Sequence, residues 1–133
     1  MKLQTAILGF LVLGAAQAQA QALNPAVTQA TVQATICRPG WAATVRPSGR
    51  YTTRVRHALC AAQGMNRCSP GLVLDHVVPL ELGGAPAQLA NFQMQTRGDS
   101  VVKDRLEHRA KRDVCAGRVS LSAAQAQFMR NTP

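Results

Sequence analysis

Aromatic side chains are scarce in this chain: three Phe, one Trp and one Tyr among 133 residues. A surface that grips nucleobases by stacking needs several such rings, so Trp41 and Tyr51 are read as packing anchors in an otherwise aliphatic core. Acidic residues are nearly as rare, six against fifteen Lys and Arg, for a formal charge of +9. No two cysteines form a Cys-x-x-Cys pair, and their irregular spacing argues against a zinc knuckle. Beyond the first residues no stretch approaches the roughly 20 apolar residues of a membrane helix. No internal repeat or low-complexity linker divides the remainder, and the length suits one domain.

The start, MKLQTAILGFLVLGAAQAQAQA, has a positive residue at Lys2, an apolar run from Ala6 to Ala16, and Ala-Gln-Ala repeats that suit cleavage. It reads as a secretory signal peptide over residues 1–20, with cleavage after Ala18, Ala20 or Ala22. The expectation is one domain over 21–133, secreted or periplasmic, monomeric and without stable membrane association. Loss of Lys2 with the leader lowers the formal charge from +9 to +8. Arginine dominates the positive charge, and its planar fork suits phosphate. Nucleic acid is thus expected ahead of an acidic membrane surface or cell-wall polymer, the plainer alternative being a basic surface that serves solubility. The four cysteines, in a chain that carries an export signal, are expected as disulfides. Of the three possible pairings, Cys60 with Cys68 is local and Cys37 with Cys115 would tie the two ends of the domain together.

The pattern predicts the order α-α-β-β-α-α. Asn24-Pro25 opens a helix on which Val32 and Ile36 share a face before Arg38-Pro39-Gly40 stops it. Thr52 or Thr53 caps a second helix carrying Val55, Leu59 and Ala62, ended by Gly64. Leu72 to Val78 is a β-branched segment running into Pro79, Gly83-Gly84-Ala85-Pro86 turns the chain, and Asn91 to Gln95 is a second strand. Asp99 caps a helix with the apolar stripe Val102, Leu106 and Ala110, extended by Val114 and ended by Gly117. Ser122 and Gln125 form a capping box for the last helix.

Within LDHVVPLELGGAPAQLANFQMQ the pair Asp75-His76 precedes a Gly-Gly turn, and Asn91 follows fifteen residues after His76. Asp-His, Pro, Gly-Gly, Asn and then a basic helix together resemble the HNH family of endonucleases, also called His-Me finger or ββα-metal. NPAVTQATVQATICRPGWAATVRP and KDRLEHRAKRDVCAG extend the likeness to a group of small exported bacterial HNH-like proteins. The resemblance implies an α+β fold with a ββα-metal centre, a short two-stranded β-region plus a helix, surrounded by further helices and stapled by disulfides. It implies hydrolysis of nucleic-acid phosphodiester bonds, DNA favoured over RNA, with a divalent metal such as Mg, Mn, Ni or Zn. His76 matches the general base, and Asn91 the residue that pins the loop and orients the histidine.

Phosphodiester cleavage explains why such residues gather. Attack on phosphorus builds negative charge that a divalent cation and guanidinium groups offset, and the attacking water must lose a proton. Asp75 points away from His76 on an extended segment and is the expected metal ligand. On the helix, where many HNH nucleases place another histidine or asparagine, the chain reads Gly98-Asp99-Ser100-Val101-Val102-Lys103-Asp104. Asp104 is the second ligand, with Asp99 and Glu107 as substitutes; Arg97 or Arg105 holds the scissile phosphate. Val102, Leu106 and Ala110 would face the core, turning Lys103, Asp104 and Glu107 to the other side. His57 and His108 carry no motif and are placed on the surface. A catalytically silent module for nucleic acid or another polyanion is the alternative, and a disulfide-stapled structural protein of the envelope a third.

Overall fold

Residues Leu72–His76 (β1) and Phe92–Thr96 (β2) pair antiparallel, with Asp75 opposite Gln93 and His76 opposite Phe92. This two-stranded sheet and its helices were obtained as a computed structural model that describes Gln17 and residues 21–130. The signal-peptide expectation therefore falls almost wholly outside the described residues. Among the described residues four α-helices accompany the sheet: α1 (Trp41–Val45), α2 (Gly49–Ala62), α3 (Arg97–Cys115) and α4 (Leu121–Arg130). The architecture is α+β. No described helix is long and apolar enough to cross a membrane.

The helix expected between Asn24 and Ile36 does not form. Its polar side chains take local backbone partners instead: Asn24 Oδ1 accepts from Ala26 N at 3.0 Å, and the Thr31 hydroxyl donates to Ala26 O at 2.8 Å. Such bonds compete with a helical ladder. The segment also pairs outward, Asn24 N donating to Gly83 O and Ala85 N to Ala22 O, both at 2.8 Å. A single 3-10 turn, Val32–Ala34, is what remains of the helix, although Val32 and Ile36 are buried as their apolar character requires. After this segment the first α-helix is instead α1, unforeseen, which starts after Gly40 at φ 77°.

The other elements stand near their expected places with different caps. Ser48, not Thr52 or Thr53, caps α2 by accepting from Tyr51 N; Val55 and Cys60 are buried beneath it, while Ala62 is exposed. Gly64 closes α2 at φ 75°, with Met65 N donating to Cys60 O and Gly64 N to Ala61 O, the Schellman pattern. Thr96, not Asp99, caps α3: its oxygen accepts from Asp99 N at 3.1 Å and its hydroxyl donates to the Asp99 carboxylate at 2.6 Å. The Ser122–Gln125 capping box is absent. Ser120 accepts from Ala123 N, and Gln125 is buried with Nε2 donating to Leu82 O at 2.9 Å.

The apolar stripe of α3 is rotated from its expected position. Val102 is 58% exposed, whereas Lys103 turns inward beside Leu106, and Ala110 and Val114 are buried. Lys103 takes that place because two carboxylates, Asp75 and Glu107, meet its ammonium there. Helix α3 packs on both strands and on the turn Leu80–Leu82, α2 packs on both strands, and α4 packs on α3 and the same turn. The hairpin is thereby held between α2 and α3. Disulfides Cys37–Cys115 and Cys60–Cys68 join all four cysteines. The first links the segment before α1 to the end of α3. It closes a loop of 78 residues, which in the chain-entropy model constrains the unfolded state by about 4.5 kcal/mol.

Candidate active site around His76

His76 ends β1, where the pleat turns its ring toward Phe92 on the facing strand. The two ring centroids lie 4.4 Å apart, and Tyr51 of α2 packs on Phe92 from beyond at 6.2 Å. Only 7% of His76 is exposed. Its Nε2 stands 3.0 Å from Pro86 O, and because a carbonyl only accepts, Nε2 carries the hydrogen and Nδ1 keeps its lone pair. Burial lowers the pKa of His76 below 6.5; the Pro86 carbonyl and Asp75 oppose this, and Arg46 and Lys103 add to it. The imidazole is accordingly neutral at neutral pH and able to accept a proton.

Asn91 holds the loop that anchors this ring. It is fully buried in a 3-10 turn just before β2; its Oδ1 accepts from Val78 N at 2.8 Å, and its Nδ2 donates to Val78 O and Ala85 O, each at 3.0 Å. One amide thus ties the strand exit to the residue before Pro86. Gly84 must be glycine for this clamp, since a Cβ there would lie 1.8 Å from Val78 O and 2.7 Å from Asn91 Nδ2.

Two clefts meet at His76. One, of about 370 Å³, is lined by Arg46, Arg56, Thr52, Thr53 and Phe92 together with Asp75 and His76. The other, of about 260 Å³, is lined by Glu81, Asp104, Glu107 and His108 as well as Arg46, Asp75 and His76. The second holds four of the six acidic residues of the chain, counting Asp75, whereas the first sets Arg46 and Arg56 against Asp75 alone. Arg56 is oriented there by its Nη2 contacts with Ser69 O and Leu72 O at 3.4 Å.

Asp75 is fully engaged. Its Oδ1 accepts from His76 N at 2.8 Å; its Oδ2 accepts from Gln95 Nε2 at 2.6 Å and from Lys103 Nζ at 2.8 Å. Lys103 also donates to Glu107 Oε1 at 2.6 Å. Burial raises the Glu107 pKa, and the Lys103 ammonium opposes that rise. Asp104 lines the acidic cleft with Asp75 and His76. Among the described residues, however, no three His, Cys, Asp or Glu side chains come together to share an ion. Around Asp75 the donor set suits an ammonium and does not fit a divalent metal.

Of the residues singled out in the sequence, Asp75, His76 and Asp104 share one cleft, and Asn91 sits directly behind it. Arg97 and Arg105 lie on the exposed side of α3 and line neither cleft. His57 is exposed, and His108 lies at the surface with its Nδ1 3.1 Å from Glu81 Oε2. Tyr51 and Trp41 pack, as the shortage of rings suggested, Trp41 lying against the main core. Sequence reasoning missed Arg46 and Arg56. Arg56 could have been found from helical spacing, four residues beyond Thr52, whereas Arg46 reaches the site only by tertiary approach. Comparison with known proteins adds nothing to this geometry: no family model, curated protein or solved structure matches the chain.

Proposed function

We propose that this chain is an exported nuclease of the HNH-like, ββα class, hydrolysing phosphodiester bonds with His76 as general base. The observation that carries the proposal is a neutral, carbonyl-anchored histidine lining a cleft that also presents two arginines and two threonine hydroxyls. The order β1, loop, β2, α3, with the histidine at the end of β1, supports it. A backbone phosphate enters the basic cleft and is held by Arg46 and Arg56, whose charge offsets that building on the phosphoryl oxygens. Water attacks phosphorus and its proton passes to Nδ1 of His76; the bond to the departing sugar oxygen breaks, and that oxygen is protonated by solvent. Asn91 acts as a positioning residue, through Ala85 and the neighbouring Pro86 carbonyl. The two disulfides suit an oxidising location outside the cytoplasm.

With few rings and many arginines the protein grips backbone phosphate and reads few bases, so DNA of any sequence is the first substrate to test. A module that binds polyanions without cutting is the second reading, favoured by the engagement of Asp75 with Lys103. The test is conversion of supercoiled plasmid to relaxed circles by the oxidised protein lacking residues 1–20. Relaxed product is expected, with Arg46→Ala raising the KM about tenfold, the loss of roughly 1.4 kcal/mol of phosphate contact. Binding without relaxed product under any condition leaves the binding module in place.

A further inference from the structure

Lys103 reaches Asp75 from the side away from the basic cleft. Its stem runs along an apolar groove of about 460 Å³ that it lines with Leu106 and Phe128, and its Nζ lies 5.8 Å from the Phe128 ring centroid. There the ammonium is bracketed by Asp75 Oδ2 at 2.8 Å and Glu107 Oε1 at 2.6 Å, with side-chain exposures of 12% for Lys103, 24% for Asp75 and 13% for Glu107. A lysine four residues before a glutamate lies on the same helix face, so α3 itself presents the pair to β1. Two carboxylates around one half-buried cation is the arrangement a divalent ion would otherwise require, and the ring face adds further attraction for the charge.

We infer that the Lys103 ammonium is the resident cation of the Asp75 and Glu107 carboxylates, and that the His76 site works without a bound divalent ion. As far as it speaks of cleavage, this rests on His76 being the base; as far as it speaks of ion binding, it stands alone. A dication arriving at Asp75 must displace an ammonium held by two carboxylates. The charge on a phosphate is then met from the other side by Arg46 and Arg56.

The test is calorimetric titration of the oxidised native protein, Lys103→Met and Lys103→Arg with Mg²⁺ and with Mn²⁺. The native protein and Lys103→Arg are expected to show no saturable binding tighter than about 1 mM, and Lys103→Met a gain of about tenfold or more. Micromolar binding to the native protein overturns the inference, as does unchanged affinity in a folded Lys103→Met. If Lys103→Met does not fold, the native protein and Lys103→Arg decide the matter. In parallel, plasmid relaxation in excess chelator should match that in Mg²⁺ within about twofold. Cleavage that appears only with added metal and is lost in His76→Ala overturns the inference and leaves the base in place. Absence of cleavage in every condition removes the base, and the titration still decides the place of Lys103.

Discussion

Replacing Asn91 with Ala removes one amide and strands three backbone groups, Val78 N–H, Val78 C=O and Ala85 C=O, which it reaches at 2.8, 3.0 and 3.0 Å. Asn91 itself is 0% exposed. Each buried group left unpaired costs about 1–3 kcal/mol, and water admitted to the gap brings the sum toward the low end, about 3–4 kcal/mol. That is a large part of the roughly 5–15 kcal/mol by which a domain is stable. At about 4 °C per kcal/mol for a domain of this size, the midpoint of thermal unfolding should fall by about 12–16 °C. Asn91→Asp should do no better, because an ionised carboxylate cannot donate to the two carbonyls. The assay is circular dichroism melting of oxidised native and variant proteins at one pH. A midpoint lowered by less than about 3 °C in Asn91→Ala would refute the clamp.

Two further outcomes follow from the same geometry. His76 has a native pKa below the 6.5 of the free side chain, so the unfolded chain takes up its proton first as pH falls. Stability should therefore be full above pH 6.5 and decline as pH drops from there through the native pKa; urea midpoints at neutral and acid pH should show this, with a smaller decline in His76→Gln. Removing the Cys37–Cys115 link by paired Ser substitution should cost about 4.5 kcal/mol by urea titration, whereas the short Cys60–Cys68 loop should cost about 2.5 kcal/mol.

The hairpin, the Gly-Gly turn, the long third helix and both disulfides are legible in the sequence because each follows from local chemistry: β-branched runs, a glycine pair, the helical spacing of Leu106, Ala110 and Val114 ended by Gly117, an even set of cysteines. Asp75, His76 and Asn91 stand out because a single short segment carries them all. The helix expected from Asn24 fails because threonine hydroxyls and a pairing with Gly83 outweigh the spacing of Val32 and Ile36. The face of α3 departs from expectation for a related reason. Hydropathy ranks Val102 above Lys103 for burial, yet the partners that reverse the order, Asp75 and Glu107, come partly from another element. Arg46 carries no local sign of its place, since it is the packing of α1 on the Leu80–Leu82 turn and of α2 on the hairpin that brings it beside His76.

Single-turnover cleavage of supercoiled plasmid by native protein and by His76→Ala, both oxidised and both shown to bind DNA, decides whether His76 takes the proton. With the arginines untouched, binding should be unchanged while the rate falls by about 100-fold or more, the usual contribution of a positioned base. His76→Ala cutting as fast as the native protein would contradict the assignment of the histidine as general base.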